Sequence, residues 1–342
     1  MARTPARAGA PGSVSTLALA ATVARRFHVE GMTKVEIARQ LGVSRFKVAR
    51  LLSTAVDHGL VRIEIHPPAS LDGEMSEELR ARFGLRSAFV VVPEEDGVDG
   101  GRRAVARFTA GLLEEVVTPE DVVGLAWGRT ISVLSAGVRA PLHCRCVQLS
   151  GALPRPDVRE SAVDVVHRIA EATGSSAVTF YAPLAVPDAA TAEGLRSQSG
   201  IAEALAEHDS LTRAVVSIGY WAAGESTAYD SLSPADRDAL TAAGACAELT
   251  GLLFGVDGTA LPDLADRVVG VTVEQLRRTP DVIAMASGLG RALGTAAALR
   301  SGVVSTLVTH TTHARQVLDL PEPAPRAARR PAARPSRPRR SP

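Results

Sequence analysis

Apolar positions in the first part of the chain recur every three or four residues, the period of helices with one buried face. Leu19, Val23 and Phe27 put one such stripe on residues 17–30. Ile37, Ala38 and Leu41 form a second, and Val48, Leu51 and Leu52 a third. Between the last two stands Gly42, a residue without Cβ where a tight turn is needed, followed by Val43 to fill the space beneath it. Ala38 is small, as a close helix crossing requires. Thr33 and Glu36 have capping-box spacing, and Ser44 is placed to cap the next helix. Gly59 ends that helix. Residues 61–65 alternate like a short strand that would serve as a wing, and His66-Pro67-Pro68 breaks it. Leu71, Met75, Leu79 and Phe83 lie four apart and predict a linker helix, packed on the body or on a twin subunit.

Beyond Ser87 the pattern changes. Short apolar runs at 88–92, 122–126, 144–149, 177–181, 214–218, 268–271, 282–286 and 304–308 predict strands. Helical stretches at 103–116, 130–138, 161–172, 193–207, 234–243 and 290–300 lie between them. This alternation predicts a doubly wound α/β domain with a mostly parallel sheet, a fold that binds ligands at the carboxyl ends of its strands. The expected fold class is α/β: an all-α helix-turn-helix, with or without a wing, then the doubly wound domain.

Composition adds three things. With 342 residues, 46% of them hydrophobic, the chain has material for a large core, and no run of 18 apolar residues predicts a membrane span. Cys144, Cys146 and Cys246 do not make a disulfide framework, so a reducing cytoplasm is expected. Cys144 and Cys146 would share one face of a strand as packing, with no second ligand pair at zinc spacing. The net charge of +1 is unevenly spread. Residues 1–65 carry ten Lys/Arg against four Asp/Glu, and residues 321–342 seven Arg against one Glu, which leaves the middle 11 units negative. A basic head on an acidic body suits a DNA-binding module joined to a domain with another task. The Pro/Arg/Ala tail has too few apolar residues to build a core and would add non-specific phosphate contacts or nothing. His28, His58 and His66 read as structural.

The helix-turn-helix spacing names duplex DNA as a partner. The early exposed positions of its second helix enter the major groove, here Ser44, Arg45, Phe46, Ala49 and Arg50, with Thr33 at the start of the first helix. Arginine can bond guanine bidentately, Phe46 or Ala49 can touch a thymine methyl, and Lys47 is placed for phosphate. In the body, Val123-Gly124-Leu125-Ala126-Trp127-Gly128-Arg129-Thr130 reads as a strand, a glycine turn and a helix start. Such a junction binds phosphate through free N–H groups, helped by Arg129 and the Thr130 hydroxyl. Taken alone, it is also ordinary turn chemistry.

The order of segments resembles that of the SorC-type (SorC/DeoR-like) sugar-binding bacterial transcriptional regulators over about residues 15–320. EIARQLGVSRFKVARLL, VGLAWGRT, VQLSGAL, GACAELTGLLFGVDG, DVIAMASGLGRALGTAAAL and LVTHTTHARQVL carry the resemblance in family order. It implies an effector domain related to ribose-5-phosphate isomerase and glucosamine-6-phosphate deaminase, with a phosphorylated sugar or polyol as effector. Gly128, Arg129 and Thr130 would form the phosphate cradle, Gln148 and Gly151 would lie along the ligand, and Glu248 would meet a sugar hydroxyl. Arg291 stands where the family usually has lysine, and His310 where aspartate is usual. From the residues alone, Gln148 could instead bridge backbone groups, and Glu248 could be a solvated charge. Arg291 beside a helix start would welcome a bound anion, and His310 with His313 invites a metal but lacks a nearby carboxylate or cysteine.

The expected organisation is a disordered start (1–14), a helix-turn-helix DNA-binding domain (15–66), a linker helix (67–86), an effector-binding domain (87–320) and a disordered tail (321–342). The expected function is a homo-oligomeric, cytoplasmic regulator, dimer or tetramer, without cofactor, metal or catalysis, whose operator binding a sugar phosphate controls. The alternative is a sugar-phosphate isomerase or deaminase fused to a DNA-binding head. No acid/base pair stands at convincing spacing, and with Lys34 and Lys47 the only lysines, no body lysine can form a Schiff base.

Overall fold

In a computed structural model, the structure describes residues 14–62, 70–138, 140–153, 161–288 and 290–321. Most of the expected wing, His66, nearly all of the N-terminal segment and the tail from residue 322 lie outside the described residues. The chain divides into two compact units, residues 1–67 and 68–342.

The first unit holds three helices: α1 (Val14–His28), α2 (Lys34–Leu41) and α3 (Arg45–Asp57). Val23, Ile37, Ala38, Val48, Leu51 and Leu52 of the apolar stripes pack into its core with Ala20, Ala24 and Ala55, while Leu19, Phe27 and Leu41 are only partly buried against it. Thr33 and Glu36 form the capping box, and Ser44 caps α3 by accepting from the Lys47 N–H. Gly42 ends α2 in the left-handed conformation at φ 62°, where a Cβ would be strained.

The second unit runs α4 (Gly73–Phe83), β1 (Ser87–Val91), α5 (Gly97–Val116), β2 (Val122–Leu125), α6 (Arg129–Ser135), β3 (Arg145–Gln148), α7 (Ala162–Thr173), β4 (Ser176–Val178), α8 (Ala189–Arg196) and α9 (Ser199–Ala206). It continues through β5 (Arg213–Tyr220), α10 (Thr227–Ser231), α11 (Pro234–Ala242), β6 (Ala245–Leu249), β7 (Leu252–Gly255), β8 (Ala260–Leu261), α12 (Val273–Arg278), β9 (Asp281–Met285), α13 (Ala292–Arg300), β10 (Thr306–His310) and α14 (Thr311–Leu318). Seven strands form a parallel sheet in the order β1-β10-β9-β5-β2-β3-β4. The sheet is buried on both faces, as parallel sheets must be. Val282 and Ala284 of β9 point into one core, shared with α4, α13 and α14. Ile283 and Met285 point into the other, shared with α5, α6 and α7. The chain winds outward in opposite directions from β2 and β5, which are neighbours, so the switch point where doubly wound sheets bind ligands lies between them.

Several expectations need correction. The sheet is mostly parallel, as expected, but it carries an antiparallel extension that no expected strand covered: β5 runs past its parallel neighbours and pairs with β6, which leads into β7 and β8. Residues 268–271 form no strand and make only single bridges, Val268 to Ala185 and Gly270 to Ser150. The helix expected over 193–207 is broken between α8 and α9 at Gln198, whose extended backbone starts the second helix. The helix at 73–83 packs on the body, one of the two placements expected for it, against β1 and α14 with Leu79 fully buried. His28 and His58, read as structural, are both exposed, and His58 has its Nδ1 3.1 Å from the Thr54 carbonyl at the end of α3.

Candidate functional site

β2 ends at Leu125, and Gly128 lets the chain turn sharply into α6. Gly128 has φ 140°, and a Cβ on it would stand 3.0 Å from the Ser217 hydroxyl of β5. The turn brings Arg129 and Thr130 to the carboxyl end of β2, beside the switch point. Thr130 is buried with its hydroxyl 3.3 Å from that of Ser287, which follows β9. Arg291 stands at the start of α13, with only 11% of its side chain exposed. Its Nε donates to the Glu225 carboxylate, and its guanidinium reaches the Ser287 carbonyl at 3.4 Å. Arg129 donates to the Gly224 carbonyl at 2.7 Å. Glu248 of β6 accepts from the Gly251 N–H at 2.6 Å and from the Ser226 hydroxyl at 3.3 Å. Burial pushes the Glu248 carboxyl above the usual carboxylate range, and those two hydrogen bonds pull only partly against it.

Gly128, Arg129, Thr130, Glu248 and Arg291 therefore line one pocket, with Trp127, Ser217, Glu225 and Thr250. Gln148 and Gly151 do not line it. The Gln148 side chain is fully buried and bridges backbone groups, donating to the Ser150 carbonyl at 2.8 Å and accepting from the Phe180 N–H at 3.1 Å. Gly151 is needed for packing: a Cβ there would meet the Pro183 carbonyl oxygen at 2.5 Å. The anion expected at Arg291 is supplied by the chain itself, as Glu225. The pocket is small, with a cavity volume of about 30 Å³. The loop of Ala222 to Ser226 is tied across the opening by Arg129, Arg291 and Glu248.

Sequence reasoning missed Glu225 and Thr250. Nothing marks Glu225 before the loop after β5 is folded over the pocket. Thr250 had a signal within GACAELTGLLFGVDG, since it precedes Gly251 in a tight hairpin. Its φ of 50° is unusual for a β-branched residue, and such strain clusters at sites. Its hydroxyl donates to Ser150 at 2.8 Å, which also receives the Trp127 indole N–H at 3.2 Å.

The histidines do not form a metal pair. His313 is fully buried, with one ring nitrogen 2.9 Å from the Thr295 hydroxyl and the other 2.8 Å from the Gly288 carbonyl. Burial drives its pKa down to about 4. The ring of His310 lies against Gly101, and neither of its nitrogens finds a hydrogen-bond partner. No group of three His, Cys, Asp or Glu among the described residues could hold a metal. Cys144 and Cys146 are buried with sulfurs 4.0 Å apart, sharing a face as expected.

In the helical unit, Arg45, Phe46, Lys47, Ala49 and Arg50 all lie on the exposed side of α3, opposite buried Val48, Leu51 and Leu52. Phe46 is 78% exposed, and the Arg45 guanidinium sits 5.6 Å from its ring centre. Thr33 and Ser44 are engaged as caps.

A family model described as "Putative sugar-binding domain" matches residues 68–319, the second unit almost end to end. The chain belongs to the SorC-type family of sugar-binding transcriptional regulators. Among these regulators, LsrR of Klebsiella pneumoniae subsp. pneumoniae is 27% identical over 88% of this chain and 93% of its own. The sorbitol operon regulator of Klebsiella pneumoniae is 22% identical over 86% of this chain and 96% of its own. The solved full-length sorbitol operon regulator SorC from Klebsiella pneumoniae superposes with a TM-score of 0.67 at 21% identity, covering 89% of this chain and 99% of that one. At that identity the likeness shows a shared fold. No helix among the described residues of this SorC-type regulator is long and apolar enough to cross a membrane.

Proposed function

We propose that this regulator binds operator DNA through the exposed face of α3 and that a phosphorylated sugar or polyol, seated at the carboxyl ends of β2, β5 and β9, controls that binding. One observation carries the effector reading. Two arginines, a threonine hydroxyl and a desolvated carboxyl converge at the sheet's switch point from three separate segments. Arginine and hydroxyl donors suit phosphate, and a carboxyl beside them can accept from a sugar hydroxyl. The carboxylate of Glu225 stands where the effector's anionic group would sit, so the effector enters by displacing it from Arg291. Kinship of this domain with ribose-5-phosphate isomerase and glucosamine-6-phosphate deaminase remains part of this proposal, carried by the sequence resemblance alone. The enzyme alternative draws no support from the relatives, which are named regulators.

On the DNA side, α2, the Gly42 turn and α3 match the helix-turn-helix reading, with Arg45 and Arg50 as base-reading candidates and Lys47 for phosphate. Gln148 and Gly151 drop out of direct ligand contact and support the strand ends from behind. We further read the chain as a homo-oligomer that presents paired heads to two half-sites. The effector would shift its equilibrium by the difference in affinity between two subunit arrangements.

The test is a thermal-shift screen of the protein against phosphorylated sugars and polyols, each beside its unphosphorylated counterpart. A ligand at about 100 times its Kd stabilises by about 2.7 kcal/mol through mass action. A shift that disappears on dephosphorylation is expected; shifts only with unphosphorylated compounds would remove the anion site from the mechanism.

A further inference from the structure

α5 has more apolar surface than its own domain covers. One face, with Val105, Ala106, Ala110 and Leu113, is buried against the sheet. A second stripe, Ala104, Phe108, Leu112 and Val116 at four-residue spacing, is only partly covered. This flank looks into an open groove of about 720 Å³ beside β1, the edge strand of the parallel sheet, whose Phe89 and Val91 also line it. Residues 70–72 pair along the end of that edge, through the bridge of Leu71 to Val91, and the α5 flank beside it stays open; contiguous exposed apolar flanks mark interaction surfaces.

Gly111 lies in the middle of the same flank, exposed. Its backbone is helical, and a Cβ there would meet no atom within 4 Å. Nothing in the domain's own packing requires glycine at this position, although glycine inside a helix costs about 1 kcal/mol relative to alanine. A second helix crossing close at that point would require it.

The charges on this flank say which helix fits. Arg103 and Arg107 stand toward the start of α5, and Glu115 toward its end, all on the groove. Arg103 and Arg107 pair with exposed Glu95 and Glu94, which line the same groove near its start. When two copies of α5 lie antiparallel and cross at Gly111, a residue four before the crossing faces one four after it. Arg107 then opposes the partner's Glu115, and the two-fold axis repeats the pair. A parallel arrangement would set arginine against arginine. Self-complementarity of this kind is the mark of a two-fold interface.

We infer that the α5 flank centred on Gly111 is the surface through which two copies of this chain pair, antiparallel, with Phe108 and Leu112 in the partner's groove and Arg107 opposite the partner's Glu115. This rests on the reading of the chain as an oligomer and names the face that makes it one. The apolar stripe supplies the affinity, and the ion pairs set the direction of pairing, since exposed pairs contribute about 0–1 kcal/mol each.

The test measures the mass of the full-length protein in solution by light scattering and sedimentation, across about two decades of concentration. The wild type is compared with Phe108→Asp, Arg107→Glu, Glu115→Arg and the double Arg107→Glu/Glu115→Arg variant, with circular dichroism and thermal unfolding confirming that each folds. Phe108→Asp should halve the assembly mass. Each single reversal should weaken association about tenfold, and the double reversal should restore it. A wild type that is monomeric throughout would defeat the oligomer reading itself. A wild-type oligomer unmoved by a folded Phe108→Asp variant would overturn the assignment of this face while leaving that reading intact. If both single reversals and the double variant associate like the wild type, the antiparallel register is wrong.

Discussion

Two residues show how burial sets chemistry in this protein. Glu225 neutralises Arg291, a cation left with 11% of its side chain exposed, and so competes with any anion arriving from solution. Glu225→Gln should tighten binding of a phosphorylated effector about tenfold, roughly 1.4 kcal/mol, and leave its unphosphorylated counterpart within about twofold. Calorimetric titration of both ligands checks this, and equal affinities in the two proteins would show that Glu225 does not compete. His313 makes the second case. Its pKa of about 4 lies below the ordinary value of 6.5, first because of burial and then because of His310 and Arg291, against the pull of the Gly288 carbonyl. The unfolded chain therefore takes up the proton first as pH falls. The stability His313 confers is complete above about pH 6.5 and is lost as pH approaches 4, by about 3 kcal/mol in all. Burial lowers His208 and His310 in the same direction. His313→Gln should flatten the fall in urea-unfolding free energy between pH 7.5 and 4.5 by about 2 kcal/mol or more, whatever the variant's offset at neutral pH.

Elements differ in how far their own residues dictate them. α2 and α3 carry caps, a turn glycine and one apolar face each, and all of these agree with the structure. This independence has a consequence for function. Arg45→Ala with Arg50→Ala leaves the buried face untouched, so it should abolish operator-specific binding, by more than about tenfold, while the effector's thermal shift persists. Fluorescence anisotropy on operator and on scrambled duplex separates the two effects; loss of the thermal shift as well would mean that the heads do not act as separate modules. The β6–β8 extension was not legible. Its strands have two to five residues and are separated by glycine turns, so the sequence offers too short a run for a period to emerge. The break between α8 and α9 was hidden for a related reason. Its polar residues suit a helix surface as well as a turn, and only packing separates the two.

At the scale of the molecule, the switch point explains why residues far apart in sequence meet. Oppositely directed connections leave β2 and β5 side by side with open ends, and the turns after β2 and β9 and the loop after β5 can only converge there. Of the seven expected effector contacts, the five on turns or on the antiparallel extension reach the pocket. The two at the end of β3 and just beyond it do not, because the Gln148 side chain is held by the Ser150 and Phe180 backbone and Gly151 packs against Pro183. Such partners are set by long-range packing, and no local pattern in VQLSGAL reports them.

The sequence by itself determined the two-part organisation, the helical head with its exposed basic face, the alternating body and the family. Each of these rests on periodicity, capping and turn chemistry, which act over a few residues. Only the tertiary structure decided which expected contacts share a pocket, that Glu225 closes it, that Gln148 and Gly151 serve packing, and that α5 keeps an uncovered flank. Those depend on which strands are neighbours and on how completely each face is covered, and burial of this kind is fixed only when distant parts of the chain meet.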